Sequence, residues 1–343
     1  MTTKKNKQAF LTFYKKRERD GIDLSEKNNV IITVGISKSG KTTYAKQVKE
    51  EYGDSVIHLS SDGIRDELFN GEYNQDENKK VFEVMRERLD KALRNKSGAT
   101  IIYDATNLSR KYRRHLVEAI EGQGGLATAM VILRPLDDIL ETAQEEDFPE
   151  EAIYKQLATF QPPSFYEGYD EIGYIHNGSE DMEELEPFVL PDTPAEVTAT
   201  GFPYRSLMQG FDQKSSYHDH DLWEHTIKTF QKVHGADIFT AVAALWHDVG
   251  KLYTQKIKNG TASYFGHENA SSYLYLERAH RTRMNEAQLH GVLSVSLIIQ
   301  NHMRIKHAKT ARAVRRLKEA VTPGLMPELA LLNWADNLSH KEE

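Results

Sequence analysis

Val30-Ile31-Ile32-Thr33-Val34-Gly35-Ile36-Ser37-Lys38-Ser39-Gly40-Lys41-Thr42-Thr43 is the stretch from which the rest of the chain can be read. Its first five residues are apolar or β-branched, the pattern of a strand buried on both faces. Gly35 to Thr42 then match the spacing G-x-x-x-x-G-K-T of a phosphate-binding loop. Glycines at both ends let backbone N–H groups turn inward around a polyphosphate. Lys41 reaches the β- and γ-phosphates, and the Thr42 hydroxyl binds the accompanying magnesium ion. Tyr44 to Tyr52 predicts a helix whose positive N-terminal end faces the phosphates. The expected nucleotide contacts are Gly35, Ser37, Lys38, Ser39, Gly40, Lys41, Thr42 and Thr43, and the expected ligands are ATP, or another nucleoside triphosphate, and Mg.

Outward from this stretch, short apolar segments alternate with longer amphipathic ones: Val56–Leu59, Ala99–Tyr103 and Ala127–Leu133. That alternation predicts an α/β fold, a parallel sheet covered by helices. Between Asn177 and Glu196 the chain turns acidic and carries Pro187, Pro191 and Pro194, which suit neither a helix nor a central strand. After about Tyr204 the spacing is helical, in Leu222–Val233, Ile238–Trp246, Ala270–Leu276, Gly291–Ile299 and Leu325–Leu338. Leu252–Phe265 interrupts it, and Asn259-Gly260 within that segment predicts a tight hairpin. The predicted organisation is a basic N-terminal extension (1–28), suited to a packed helix or a loose arm, an α/β domain (29–180), an acidic Pro-containing linker (181–203) and an all-α domain with a small hairpin (204–343).

A chain of 343 residues accommodates two cores. Cysteine is absent, which excludes disulfides, thiolate zinc sites and a cysteine nucleophile, so any bound metal rests on His, Asp or Glu. No apolar run reaches the ~18 residues of a membrane span, and residues 1–20 are polar and basic. The expectation is a soluble, cytoplasmic protein of a bacterial or phage-infected cell with no membrane partner. A net charge of −7 argues against general adhesion to nucleic acid and leaves local basic patches as the route to it.

Asp62, in Ser60-Ser61-Asp62-Gly63-Ile64-Arg65, follows the second apolar segment at the carboxyl end of its strand, where open α/β sheets bind ligands. A carboxylate there can take the proton of an attacking hydroxyl, while Lys41, magnesium and arginines hold the charge of a transferred phosphoryl group. Arg65, one turn on, is spaced to grip an acceptor phosphate. The alternative is a helix-capping aspartate followed by a surface arginine. The third segment ends in Tyr103-Asp104-Ala105-Thr106-Asn107 and is trailed by Arg110, Lys111, Arg113 and Arg114. These basic residues form either an acceptor surface, with Arg113 and Arg114 as substrate contacts, or a solvated helix face.

The loop, Asp-x-x-Arg, and Asp-Ala-Thr-Asn with its basic trail together resemble the 5′-hydroxyl polynucleotide kinase branch of the P-loop kinases over about Asn29–Ile175. The resemblance implies Asp62 as general base, Arg65 on the acceptor's 3′-side phosphate, and Asp104, Thr106 and Asn107 shaping the acceptor site. Phe148–Pro163 and Glu167–Asp170 are similar to the lid and following turn of such kinases. Family lids carry an arginine that closes on the donor phosphates. Leu136–Asp170 has none, and Lys155 is its only cation, so Lys155 or Arg134 would take that part.

His247-Asp248-Val249-Gly250-Lys251 closes the apolar segment Ala241–Trp246. An isolated His-Asp pair means little. Here His225, His267, His302 and Asp336 also lie beside apolar helical stretches, where a lone polar group needs a partner, and a shared metal ion satisfies several at once. Manganese, nickel, cobalt, iron and zinc all suit such donors. The arrangement resembles the HD phosphohydrolase superfamily. Tyr217–Thr226 and Tyr264–Glu268 are similar to the HD domain of CCA-adding tRNA nucleotidyltransferases, within a resemblance spanning about Arg205–Ser339. It implies that His225, His247, Asp248 and Asp336 hold one metal, that Asp248 bridges to a second held by His267 and His302, and that Lys251 faces a leaving or phosphate oxygen. Occupancy by one ion or two stays open.

A 5′-hydroxyl kinase joined to such a domain resembles the HD-type polynucleotide kinase–phosphatases, whose familiar members place the HD module first. The implied function is healing of nucleic-acid ends, RNA foremost, by 5′-phosphorylation and by removal of a 2′,3′-cyclic phosphate or 3′-phosphate. Implied partners are single-stranded or nicked RNA or DNA ends, tRNA fragments among them. A separate ligase would seal, since the chain lacks Lys-x-Asp-Gly. The run Arg304, Lys306, Lys309, Arg312, Arg315, Arg316 and Lys318 is a candidate strand-binding face. Two rival readings are a nucleoside or nucleotide kinase fused to a nucleotidase, and a nucleotide-sensing regulator without turnover.

Overall fold

The computed structural model describes residues 10–15, 27–70, 77–95, 98–178, 193, 197–214, 220–281, 284 and 286–340. Most of the acidic linker, and Tyr217–Asp219 of the histidine-rich run, lie outside the described residues.

The apolar stretch ahead of the glycine loop becomes β2 (Asn29–Val34), following an N-terminal strand β1 (Phe10–Lys15). Helix α1 (Lys41–Tyr52), β3 (Val56–Ser60), α2 (Ser61–Phe69), α3 (Asn78–Asn95), β4 (Thr100–Asp104), α4 (Arg110–Gly122) and β5 (Leu126–Leu133) then alternate as the spacing predicts. After α5 (Leu136–Glu145) and α6 (Glu150–Leu157) comes β6 (Glu171–His176). The sheet order is β1-β6-β5-β2-β4-β3, parallel except for β1 against β6. β2 is central and its side chains are buried on both faces, as its composition requires. On one face Ala45 and Val48 of α1 pack on Val56 and Ile102. The parallel register sets Ser60 opposite Asp104 and Ile32 opposite Tyr103, so the carboxyl ends of β2, β3 and β4 share one edge.

The extension expected as a helix or a loose arm instead contributes β1, paired from Phe10↔His176 to Lys15↔Glu171. Phe10-Leu11-Thr12-Phe13-Tyr14 has strand composition, and β6 offers it an edge.

The C-terminal part contains α7 (Arg205–Met208), α8 (Leu222–Val233), α9 (Ile238–Trp246), α10 (Lys251–Thr254), the hairpin β7 (Lys256–Lys258) and β8 (Thr261–Ser263), α11 (His267–Ala279), α12 (Glu286–His307), α13 (Ala311–Ala320) and α14 (Met326–Leu338). Asp221 and Asp237 cap α8 and α9 by accepting from Glu224 N (2.8 Å) and Thr240 N (2.6 Å). Helix α9 is apolar nearly all round and sits in the middle, against α8, α12 and α14. Asn259 and Gly260 both take positive φ, 52° and 78°, and close the hairpin as that dipeptide predicts.

Two compact units result, and they do not follow chain order: residues 1–134 with 163–179, and residues 135–162 with 180–343. Helices α5 and α6, which the sequence places in the α/β domain, are thus part of the helical unit. Asn269 Nδ2 donates to Ala158 O at 2.8 Å, and the Phe160 ring meets Tyr273 edge-on at 5.1 Å. Gly266, at φ 80°, lies so close that a Cβ there would stand 2.1 Å from Ala158 O. Side-chain contacts between distant segments, invisible to local spacing, decide this allegiance.

Candidate functional site

In the α/β unit the loop after β2 is built around two glycines. A Cβ on Gly35 would stand 2.7 Å from Ile132 O, and one on Gly40, at φ 101°, 2.2 Å from Asn177 Nδ2. Asn177 donates to Ser39 O (3.0 Å) and Arg134 to Lys38 O (3.0 Å), fixing the loop from outside. Lys41 opens α1 and donates to Ile36 O (2.7 Å). Burial pushes its ammonium down to about 8, against the opposing charges of Asp104 and Asp62.

Asp104, at the end of β4, accepts from Thr42 Oγ1 (3.0 Å) and from Thr33 Oγ1 (3.3 Å), and lies 3.0 Å from His58 Nε2. Burial raises its carboxyl, but hydrogen bonds with His58 and Thr42 and the charge of Lys41 outweigh that and leave it below its ordinary value. Asp104 therefore stands beside the hydroxyl that the sequence assigns to magnesium. Thr106 accepts from Gly35 N through its carbonyl (3.1 Å), and Asn107, at φ 45°, donates to Thr33 O (2.8 Å). These two residues tie the β4 loop to the nucleotide loop.

Asp62 does not cap α2. Ser60 does, its Oγ accepting from Gly63 N at 3.2 Å. The Asp62 carboxylate is 73% exposed and paired with Arg65, which also donates to Asn78 Oδ1 (3.3 Å). Of the two cations considered for the donor phosphates, Arg134 is the one held on the nucleotide loop. Lys155, in α6, belongs to the other unit.

Arg113 requires a correction. It is buried, not on an acceptor surface. Its Nε and Nη2 each donate to Glu167 at 2.8 Å, and Nη1 donates to the carbonyls of Asn107 and Leu108. The reason is helical phase: Arg113 shares the inward face of α4 with Leu116, Val117 and Ile120. Arg114 remains at the surface, 3.7 Å from Glu118. Arg113→Met is expected to cost up to about 3–5 kcal/mol by stripping the buried Glu167 of its two-pronged partner and leaving it Arg110 at 3.7 Å and the Ser164 amide, read as a lower thermal midpoint. Arg114→Met should stay within about 0.5 kcal/mol of the parent in the same measurement.

In the helical unit the fold brings His225, His247, Asp248, His267, His302 and Asp336 together from α8, the end of α9, α11, α12 and α14. Ligand-capable atoms of His225, His247 and Asp336 lie within 4.8 Å of one another, as do those of Asp248, His267 and His302. Asp248 faces both groups. Its Oδ2 is 3.3 Å from His225 Nε2 and 3.3 Å from His247 Nε2, and its Oδ1 is 3.2 Å from His267 Nε2. Each imidazole is oriented from behind, Nδ1 lying against a carbonyl: His225 on Ser339 (3.2 Å), His247 on Ala244 (2.8 Å), His267 on Tyr264 (2.7 Å) and His302 on Ile299 (2.7 Å).

A carbonyl only accepts, so Nδ1 carries the proton and Nε2 turns inward as a potential ligand. His225 Nε2 lies 3.3 Å from Asp248 Oδ2 and 3.2 Å from Asp336 Oδ1, His247 Nε2 lies 3.9 Å from Asp336 Oδ1, and the Nε2 atoms of His267 and His302 face each other at 3.2 Å. Divalent cations fit this donor set, because they gather converging imidazole nitrogens and carboxylate oxygens and separate facing lone pairs at once. Burial holds His302 well below its ordinary value, helped by the neighbouring His267 and His247, which favours the neutral ligand form. Burial lowers His225 too, but its hydrogen bonds to Asp248 and Asp336 win and raise it to about 9. A proton and a metal compete for that atom.

Lys251 Nζ lies 2.7 Å from Asp248 Oδ2 and donates to Gln213 Oε1 at 2.9 Å. Two further partners escaped the sequence reading: Lys306 Nζ at 2.7 Å from Asp336 Oδ2 and His340 Nε2 at 3.0 Å from Asp336 Oδ1. Their signal was helical spacing, four residues beyond His302 and Asp336 respectively. A cavity of about 760 Å³ adjoins the cluster, with Lys251, His267, Lys306 and His340 in its wall.

These two sites define a phosphate-loop domain of kinase type and a helical unit with a candidate metal centre in the same chain. Residues 30–163 match the family model described as AAA domain. Over 172 residues the chain is 26% identical to an inferred bifunctional polynucleotide kinase/RNA ligase of Autographa californica nuclear polyhedrosis virus; the match takes in 44% of this chain and only 24% of the viral protein. Among solved structures, the chain is similar to a chain of a Pnkp1/Rnl/Hen1 complex, at 20% identity and TM-score 0.30, over 34% of this chain and 39% of that one. It is also similar to an inferred kinase from Chloroflexus aurantiacus, at 12% identity and TM-score 0.37, over 47% and 90%. No described helix is long and apolar enough to cross a membrane.

Proposed function

We propose that the chain heals nucleic-acid ends, RNA foremost, with a 5′-hydroxyl kinase in the α/β unit and a metal-dependent phosphohydrolase in the helical unit. The observation that carries this reading is the pair of sites in one chain: a phosphate loop with Asp62 at the neighbouring strand end, and a buried His–Asp cluster adjoining a basic cavity. The kinase half also draws on the viral relative, whose printed name includes polynucleotide kinase.

In the kinase step the 5′-oxygen attacks the γ-phosphorus of ATP, the bond to the ADP oxygen breaks, and the alcohol proton passes to Asp62. Lys41 and Arg134 are placed to hold the donor phosphates, and Thr42 and Asp104 would hold magnesium. Arg65, already on Asp62, orients the acceptor. In the hydrolytic step a water oxygen joins phosphorus, one P–O bond of the 2′,3′-cyclic phosphate breaks, and the released oxygen gains a proton; a second water then attacks the resulting monoester, its P–O bond to the ribose breaks, inorganic phosphate leaves and the ribose oxygen gains a proton. His225, His247 and Asp336 would hold one ion, and Asp248, His267 and His302 a second. Bound there, divalent ions supply a clamp for the phosphate and a water acidic enough to react near neutral pH. Lys251 is placed to meet a phosphate oxygen. Sealing falls to a separate ligase.

The test is an RNA cut to leave a 5′-hydroxyl and a 2′,3′-cyclic phosphate, incubated with ATP, magnesium and manganese. Conversion to a 5′-phosphate and a 3′-hydroxyl is expected. Label from γ-phosphate appearing only in free nucleosides would overturn the polynucleotide assignment in favour of a small-molecule kinase.

A further inference from the structure

The turn between β8 and α11 presents Phe265 to solvent, 87% exposed, at the wall of the 760 Å³ cavity. Leaving an aromatic side chain in water forgoes about 1.5–3 kcal/mol of burial. The turn that does so is fixed on both sides. His267 Nδ1 bonds Tyr264 O at 2.7 Å across Phe265, and Gly266 is packed too tightly against Ala158 to accept a side chain. Phe265 is thus held two residues from a candidate metal ligand. The facing wall comes from the end of α12 and from α13, whose N-terminus Thr310 caps by accepting from Ala313 N at 3.1 Å. With Leu317 buried, Arg312 and Arg316, one turn apart, line the cavity beside Arg304. Neither Arg312 nor Arg316 has a carboxylate partner among the described residues. Burial lowers the Arg304 guanidinium and the nearby charge of Arg316 lowers it further, which the Glu268 carboxylate in the same cavity wall only partly offsets.

We propose that this cavity binds the 3′-terminal nucleotide of a single strand, its base stacked on Phe265 and the strand's upstream phosphates on Arg304, Arg312 and Arg316. Its volume lies in the range of about 300–1,000 Å³ usual for small-ligand sites. Stacking on an aromatic face grips any base, since every base has one, and guanidiniums bind the repeating phosphates. Lys251 and Lys306 already stand at the cluster, where a terminal phosphate would sit. Three further arginines exceed what one phosphate needs, and this favours a strand over a free nucleotide. The proposal rests on the hydrolytic reading of the cluster.

The test uses the full chain and a ten-nucleotide RNA bearing a 3′-phosphate and 2-aminopurine as its last base. Binding is expected to quench the fluorophore. Phe265→Ala should abolish the quench and weaken affinity about 5- to 150-fold, the range for one lost stacked base, while Phe265→Trp restores both. With Arg312→Gln/Arg316→Gln, the slope of log affinity against log salt should fall in magnitude by about 1.4, two single-strand contacts at about 0.7 each. Unchanged quench and affinity in Phe265→Ala, or equal quench with the fluorophore five nucleotides inward, would overturn the proposal. Binding with terminal quench but no phosphate release in manganese supports this site and sinks the hydrolase assignment instead, so the two failures are distinguishable.

Discussion

Asp62→Asn is expected to slow 5′-phosphorylation by about 10²–10⁴-fold, the usual contribution of a positioned general base. The amide keeps the size of the carboxylate and can still bond Arg65, but it cannot accept the proton of the attacking alcohol. Because Ser60 caps α2, the substitution leaves the helix start intact. Nucleotide affinity should hold, since Lys41, Thr42 and the loop glycines are untouched, and the hydrolytic activity of the helical unit should not change. Steady-state rates on a 5′-hydroxyl oligonucleotide, with ATP affinity measured separately, check this. A variant phosphorylating at the parent rate would remove Asp62 from the chemistry.

The second large effect falls on the metal centre. Asp248 faces both halves of the cluster, so Asp248→Asn should lower metal content and lower release of terminal phosphate by at least about 10³-fold, the equivalent of losing several kcal/mol of electrostatic stabilisation. Asparagine is preferable to alanine because Lys251, 2.7 Å from Asp248, is itself buried, and truncation would leave its charge stranded at a cost of about 3–5 kcal/mol. Elemental analysis of the purified protein gives the metal content, and the kinase rate serves as control. Full metal content with undiminished hydrolysis would defeat the assignment.

Much of the fold is legible in residue order because it depends on local spacing. The buried strand before the glycine loop, the alternation around it, the Asn-Gly hairpin and the helices around Trp246 all follow from near neighbours. β1 is less legible, since a short strand acquires meaning only when β6 offers an edge. The six metal-ligand candidates converge because each stands out as a polar group in an apolar setting. Arg113 misleads in the opposite sense: as one of four basic residues in a short run it reads as surface, although its three- and four-residue spacing to Leu116 and Val117 marks it as inward. Lys306 and His340 hide because lysine and a near-terminal histidine usually decorate surfaces, and only the proximity of Asp336 gives them a task.

The path of the chain carries a practical consequence for dissecting the two proposed activities. It passes from one compact unit to the other three times, near residues 134, 162 and 179. Phe160 and Ala158, encoded amid the first body, find their neighbours Tyr273 and Asn269 more than a hundred positions later. Scissors applied at residue 180 would therefore strip one fragment's aromatic seat and leave a bare socket in the other. The chain threads the two units alternately, and point substitution is the tool that can test either proposed activity while leaving the other unit whole.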